Sequence, residues 1–291
     1  MKTATTIDEQ LALLKQRGML IPNEDKAKEI LLDIGYYRLG FYWFPYEKES
    51  PANNVREHQF KPGTSFDQII ALYYFDQDLR CILSPYLYRI EINLRTFVIY
   101  TASNLYKSNP TWFADSRCVS NKFIEYVASR YPTIKNNETI KRHHQNHRND
   151  CYAPAWKTLE YMTFGDILYL IANLKDDNLR RKIAEHYQLR NIKVFENYMN
   201  TIRLMRNLCA HGHHIYDLNL QKSIKVGPIS AINEDRRRHN LTGALLVIFY
   251  ILRTISENRA ADMKKRIVEL VSNPNTDSIR DIIGNIQTEI L

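Results

Sequence analysis

The 291-residue sequence is poor in the residues that break regular structure, with 9 Gly and 10 Pro. That scarcity excludes a loop-rich all-β protein and leaves long stretches suited to helices. Cysteine is also sparse. Cys81, Cys118, Cys151 and Cys209 are the only four, no two stand at a C-x-x-C spacing, and the start of the chain, Met1 to Gln10, is polar rather than signal-like. We read them as free thiols in a reducing cytoplasm. Long apolar runs are absent as well. The longest, Leu241 to Leu252, is interrupted by Thr242 and Gly243 and stopped by Arg253. A bilayer span takes ~20 apolar residues, so this run is expected to be a buried helix and no membrane partner is expected. There is no P-loop, no G-x-G-x-x-G, no H-E-x-x-H and no G-x-S-x-G, and no cofactor is expected.

What is present is an ordinary globular composition, 44% hydrophobic and 25% charged, with a formal net charge of +8 and a sequence pI of about 9.2. The positive balance favours an acidic partner, RNA, DNA or an anionic membrane, without choosing among them. The 19 Tyr and 11 Phe add stacking surface, although most of these rings should serve the core.

Apolar spacing predicts helices over 7–17 and 24–34. The aromatic segment from Gly35 to Pro45 can form a packing layer or a stacking surface, with packing the stronger reading. A loop over 47–64 precedes a helical pattern from Ser65, in which Phe66, Ile69, Ile70, Tyr73, Leu79, Ile82 and Leu83 recur at steps of three and four. Pro85 is expected to break or restart that helix, giving a hairpin or one kinked rod with the segment carrying Leu87, Ile90, Leu94, Phe97 and Val98. A loop over 108–120 and a short helix over 121–130 follow. Residues 132–153 are polar, basic and histidine-rich. Further helices are expected over 155–174, 177–188, 192–211, 236–256, 260–272 and 277–289, with 212–235 irregular. The fold class is therefore all-α. An N-terminal helical and aromatic segment over 1–60 is expected to pack on a helical domain over 61–291, or to form one continuous domain with it.

One segment carries chemistry: Ile202-Arg203-Leu204-Met205-Arg206-Asn207-Leu208-Cys209-Ala210-His211-Gly212. Gly212 is a natural residue just past a helix end, which puts His211 in the last turn, where the helix field favours imidazolium. Asn207 and His211 are four apart and share a face, and Arg203 extends the same stripe. Arg206 lies roughly 140° round an ideal helix from His211, at the edge of that polar seam. Histidine can move a proton to or from a ribose hydroxyl, and arginine can grip a phosphate and stabilise charge at phosphorus. If the RNA's own 2′-OH attacks, no metal is required. One histidine is not both acid and base, so a single motif per chain points to a homodimer with two such helices facing one groove. The spacing by itself leaves a structural reading open, because R-x-x-x-x-H recurs by chance and a histidine beside a glycine is a common cap.

Other residues carry further expectations. Lys141, Arg142, His143, His144, His147 and Arg148 form a dense basic run that either grips RNA phosphates or is a solvated face. Arg236, Arg237 and Arg238 begin the helix over 236–256 and are a second candidate RNA contact; simple solvation is the slightly favoured alternative. His143, His147 and Cys151, or His211, His213 and His214, could be grouped as metal ligands, but a fourth ligand is not evident and the arginine supplies the charge; no metal is expected. Glu91 and Arg95, four apart, are expected to pair and to brace the catalytic helix from the core.

Arg206-Asn207-Leu208-Cys209-Ala210-His211 resembles the R-N-x-x-x-H signature of HEPN ribonucleases. Further segments resemble the Abi-like (AbiD/AbiF) abortive-infection family of bacterial phage-resistance proteins. They are Ile34 to Leu39 with Tyr42 to Pro45, then Tyr88-Arg89-Ile90-Glu91-Ile92-Asn93-Leu94-Arg95-Thr96, and then Pro154-Ala155-Trp156 through Glu160 to Thr163-Phe164-Gly165. These segments run in order over about residues 10 to 255. The resemblance implies a HEPN-type helical bundle, defence against phage and toxin-like RNA cleavage. It assigns catalysis to Arg206 and His211 with Asn207 as polar partner, and leaves Arg203 and the basic clusters as RNA contacts. It also implies RNA as partner, both as substrate and as a regulatory non-coding RNA. Some HEPN toxins are controlled by modification of a tyrosine two residues past the motif histidine; here that residue is His213, which argues against that control. The alternative function is a non-catalytic RNA-binding protein that uses the same basic seam, and a third is a protein in which Arg206 and His211 form a structural seam.

Overall fold

The computed structural model describes residues 3–48, 58–284 and 286. Among them the regular structure is helical, with three isolated bridges and no strand, so the chain is all-α. Helices α1 (Ile7–Gln16) and α2 (Glu24–Asp33) begin at Thr6 and Asn23, whose side chains accept from Glu9 and Lys26 N–H groups. Helix α3 (Tyr36–Trp43) and the tight turn Phe44–Tyr46 carry the aromatic segment. The choice between packing and stacking resolves by helix face. Leu39, Tyr42, Trp43 and Tyr46 are buried, whereas Tyr37, Phe41 and Phe44 are exposed.

The centre of the molecule is α4 (Phe66–Leu105), one helix of 40 residues that spans about 60 Å at 1.5 Å per residue. The expected break at Pro85 does not occur, and the kinked-rod alternative is nearer the truth than the hairpin. A proline inside a helix removes one N–H donor, here the one that would serve the Cys81 carbonyl. Cys81 and Pro85 both lie on an exposed face, where water can serve that carbonyl, and the Ser84 hydroxyl donates to the Arg80 carbonyl one position away at 2.7 Å.

The remaining helices pack around this rod. Helix α5 (Asn121–Ile134) runs past 130 and through Pro132, and α6 (Glu138–Asn146) emerges from the stretch whose polarity hid it, since Ile140 and His143 are its only buried residues. The single helix expected over 155–174 is two: α7 (Ala155–Thr158), then a turn, then α8 (Phe164–Asn173). The cause is Thr163, whose hydroxyl accepts from Asp166 N–H while the Asp166 carboxylate accepts from Thr163 N–H, a reciprocal cap that starts a new helix. Helices α9 (Asp177–His186) and α10 (Ile192–Ala210) follow. The helix expected from 236 begins instead at Leu241, because Asn240 caps α11 (Leu241–Ile255) through Gly243 N–H; Arg236 to Arg238 lie in the tight turn Asp235–Arg238 before it. The apolar run is a buried helix as expected, with Leu241, Leu245, Ile248 and Leu252 each nearly inaccessible. Helix α12 (Glu257–Val271) begins three residues earlier than expected. The helix expected over 277–289 shrinks to a turn at Pro274–Ile279 and the single turn α13 (Arg280–Ile283), and most of the remainder lies outside the described residues. None of the helices described is long and apolar enough to cross a membrane.

Candidate active site

Helix α10 is amphipathic in the plain sense that Tyr198, Met199, Ile202 and Met205 are buried against α4, α8 and α11, while Leu204, Asn207 and His211 share the opposite side. Its end is closed tightly. Gly212 takes φ of 66°, a left-handed conformation that glycine adopts without strain. Gly212 N–H then donates to the Cys209 carbonyl at 3.3 Å and His213 N–H to the Leu208 carbonyl at 2.9 Å, the paired bonds of a glycine-terminated helix. His211 is therefore the cap residue, one position beyond the last turn. It is exposed, at the end where unpaired carbonyls concentrate negative partial charge.

Arg206 is held from below. Its Nε donates to Glu91 Oε2 at 3.0 Å, and its Nη1 donates to Asn207 Oδ1 at 3.4 Å. The Arg206 side chain is one-third exposed, whereas that of Glu91 is 5% exposed. Glu91 Oε1 accepts from Arg95 at 2.9 Å, and Arg95 also donates to the Met162 carbonyl at 3.0 Å. Glu91 and Arg95 thus pair as their spacing predicts, and the same carboxylate reaches the motif arginine. A buried charge that is well paired and bonded fixes geometry more surely than it adds stability. The Nη2 of Arg206 has no hydrogen-bond partner among the described residues, and Arg206 lines an open groove together with Ser84, Pro85, Leu87, Tyr88 and Ala210. That leaves one guanidinium edge for an anion. Burial pushes the thiol of Cys209, between Asn207 and His211, up to about 12, away from the thiolate that a nucleophile needs.

A second network holds the far end of the motif. The Asp76 carboxylate, fully buried, accepts from Ile215 N–H at 2.9 Å, Tyr216 N–H at 2.8 Å and the Tyr42 hydroxyl at 2.9 Å, and pairs with Arg80. Arg80 donates onward to the His213 carbonyl at 3.2 Å. Burial raises the Asp76 carboxyl overall, and Arg80, the two backbone N–H groups and the Tyr42 hydroxyl pull the other way. Arg38 from α3 donates to the Gly212 carbonyl at 2.7 Å. None of Asp76, Arg80 and Arg38 was singled out from the sequence as a site residue. The available signal was the spacing of Asp76 and Arg80, four apart on a helix like Glu91 and Arg95.

Arg203 lies across Gly165 at the start of α8, with its Cδ and Nη1 each 3.7 Å from where a Cβ would stand, so the small residue of Thr163-Phe164-Gly165 makes room for it. The basic run divides. His143 is buried with Nε2 on Asp150 at 3.1 Å and its ring stacked on His147. His144 bonds the Tyr131 hydroxyl at 2.7 Å, and burial pushes its pKa down. Arg142 is exposed. Lys135, Lys141, His144, Gln145 and Arg148 line an open basic pocket. Arg237 donates to the Ala231 carbonyl and pairs with Glu234, and Arg238 holds the Ile224 carbonyl and Asp235; both tie down their own loop. Arg236 borders a groove with Tyr216, Asp217 and Leu218, the segment just after the motif. Among the described residues no three His, Cys, Asp or Glu side chains are grouped to hold a metal ion.

No curated protein and no solved structure matches the chain. A family model does: the one for Abi-like proteins matches residues 29–217, which contain Arg38, Asp76, Glu91 and the whole motif, and the chain belongs to the Abi-like protein family.

Proposed function

We propose that this chain is a metal-independent endoribonuclease toxin of the HEPN type, acting in abortive-infection defence against phage. The observation that carries the reading is the posture of the motif. Arg206 is anchored through Nε by Glu91 and through Nη1 by Asn207, with its outer edge open, while His211 stands exposed at the end of the same helix. The ribose 2′-oxygen attacks phosphorus, the bond from phosphorus to the 5′-oxygen breaks, and the products carry a 2′,3′-cyclic phosphate and a 5′-OH. A neutral His211 accepts the 2′-OH proton, and a protonated histidine donates to the leaving 5′-oxygen. Arg206 stabilises the charge on the phosphoryl oxygens, and Asn207 keeps the guanidinium and the histidine in register.

Two histidines imply two copies. The face that carries Asn207 and His211 also presents Leu204, and the neighbouring face of α4 presents Tyr88 and Ile92, all more than one-third exposed. These apolar side chains flank the motif where a second protomer would bring its own helix, so the working unit is a homodimer. Control by a bound non-coding RNA fits the same reading. The pocket of Lys135, Lys141 and Arg148 shares no lining residue with the groove at Arg206 and offers a separate grip on phosphates.

The test is cleavage of total RNA by the purified full chain in EDTA, with the ends identified. Fragments ending in 2′,3′-cyclic phosphate, produced without divalent metal, are the expected result; cleavage that needs added metal, or 3′-OH ends, contradicts the mechanism. Glu91→Gln provides an internal check. It keeps an acceptor of the same shape but removes the charge that fixes Arg206, and a misplacement of this kind costs on the order of 100-fold in rate. Single-turnover cleavage is expected to fall by that order, while the melting profile stays cooperative and RNA affinity changes far less. An unchanged cleavage rate would show that Glu91 does not position the arginine.

A further inference from the structure

The amphipathicity of α3 is unusual because both of its faces are aromatic. Leu39, Tyr42 and Trp43 form the inward face, and Tyr37 and Phe41, four apart, form an outward one, 89% and 53% exposed. Large exposed rings four apart make a flat apolar surface in solvent, and such surfaces mark binding sites. This one abuts the motif. Phe41 stacks on His214 with ring centroids 4.7 Å apart and planes 20° from parallel. His214 is held in turn by Asp217 at 3.4 Å, and the Tyr216 hydroxyl donates to the Phe41 carbonyl at 2.6 Å. Between the rings and the motif stands Arg38, exposed, with Nη1 on the Gly212 carbonyl. Gly212 directly follows His211.

From this juxtaposition we infer that Tyr37, Phe41 and Arg38 form a single-strand RNA site beside His211, in which the rings stack an unpaired base and Arg38 binds the adjoining phosphate. The inference rests on the nuclease reading for the identity of the strand, and its own content is that the substrate is single-stranded at this point. The open face of Phe41 continues a stack already begun by His214. Every base has a π-face, so such a platform selects unstacked nucleotides rather than a sequence, whereas a duplex, whose bases already stack on one another, offers it none. Arg38 Nη1 is committed to the helix end, the residue is exposed, and no carboxylate pairs with it among the described residues, so it stands beside His211 as a fixed cation without a counter-charge. The chain's net charge of +8 agrees with a polyanion here and not with an acidic surface seeking a cation.

Binding is measured by fluorescence anisotropy in the His211→Ala full chain, which removes cutting from the readout. The probes are a labelled single-stranded RNA and the same strand annealed to its complement. Tyr37→Ala and Phe41→Ala are each expected to weaken the single strand about tenfold and to leave the duplex within about twofold. Phe41→Trp, which keeps the platform, is expected to restore affinity. Arg38→Gln is expected to reduce the salt slope for the single strand by about 0.7, one phosphate's worth. Tyr37 is nearly fully exposed, so Tyr37→Ala tests the idea even if the Phe41 variants fold poorly. Unchanged single-strand affinity in Tyr37→Ala, or equal losses on strand and duplex, overturns the assignment and leaves the stripe as a face for a protein. If the wild-type chain cuts no RNA yet the single-strand losses appear, the nuclease reading fails and this site stands.

Discussion

His211→Ala is expected to abolish RNA cleavage while RNA binding survives nearly intact. A positioned general acid–base contributes on the order of 100- to 10,000-fold, and here the loss should approach the upper end, because in the proposed twofold assembly both histidines vanish together and neither the attacking nor the leaving oxygen finds a proton partner. Affinity is spared because His211 is exposed at the helix cap and its side chain makes no hydrogen bond or ion pair among the described residues. Arg206→Ala behaves differently. It removes the proposed phosphate grip and also leaves Glu91 with one partner in place of two, so it is expected to weaken binding and cutting together. The contrast between the two variants, measured as single-turnover rate and as affinity for an uncut strand, separates proton transfer from charge stabilisation. Wild-type cleavage by His211→Ala would place the chemistry elsewhere in the molecule.

The motif was legible in the sequence because its members are close along one helix: Asn207 and His211 share a face and Gly212 announces the end. The network beneath it was only half legible. Glu91 and Arg95 advertise themselves by helical spacing, but nothing local says that Glu91 also faces Arg206, 115 residues away in sequence. Arg38 was hidden for the same reason, since its partner is the backbone carbonyl of Gly212 and a carbonyl leaves no trace in residue type. The element errors have one cause each. Pro85 reads as a breaker, yet α4 keeps it on an open face where the lost bond can go to water. Residues 138–146 look like loop because charge and histidine outnumber apolar positions there. The helix over 155–174 looks continuous because apolar periodicity runs through the reciprocal Thr163–Asp166 cap, whose two bonds divide it. Solvent access, composition and a cap thus each overrode a different local pattern.

The largest expected loss of stability is at Asp76. Four donors meet its carboxylate: the Tyr42 hydroxyl from α3, Arg80 from α4, and the N–H groups of Ile215 and Tyr216 from the segment after the motif. Asp76→Ala strips all four at once. Arg80, 6% exposed, is then a buried charge that has lost its one carboxylate partner among the described residues, and breaking a buried pair in this way costs about 3–5 kcal/mol. The two backbone donors add to that cost, since buried groups left unpaired lose about 1–3 kcal/mol each where water cannot reach them. Against a typical total of about 5–15 kcal/mol, the variant should unfold at a much lower urea concentration. The charge argument has its own control. Asp76→Ala combined with Arg80→Met removes the stranded guanidinium and is expected to be more stable than Asp76→Ala alone, a sign reversal that a simple packing defect would not produce. The damage also reaches the site before global unfolding, because Arg80 and Asp76 together hold His213, Ile215 and Tyr216 just beyond His211. Hydrogen exchange in Asp76→Ala should therefore rise first at residues 213–216, and cleavage should fall at temperatures where α4 and α11 are still protected. A variant within about 1 kcal/mol of wild type, close to the average cost of a point substitution, would mean that the end of the motif helix is held by its glycine cap and Arg38 alone.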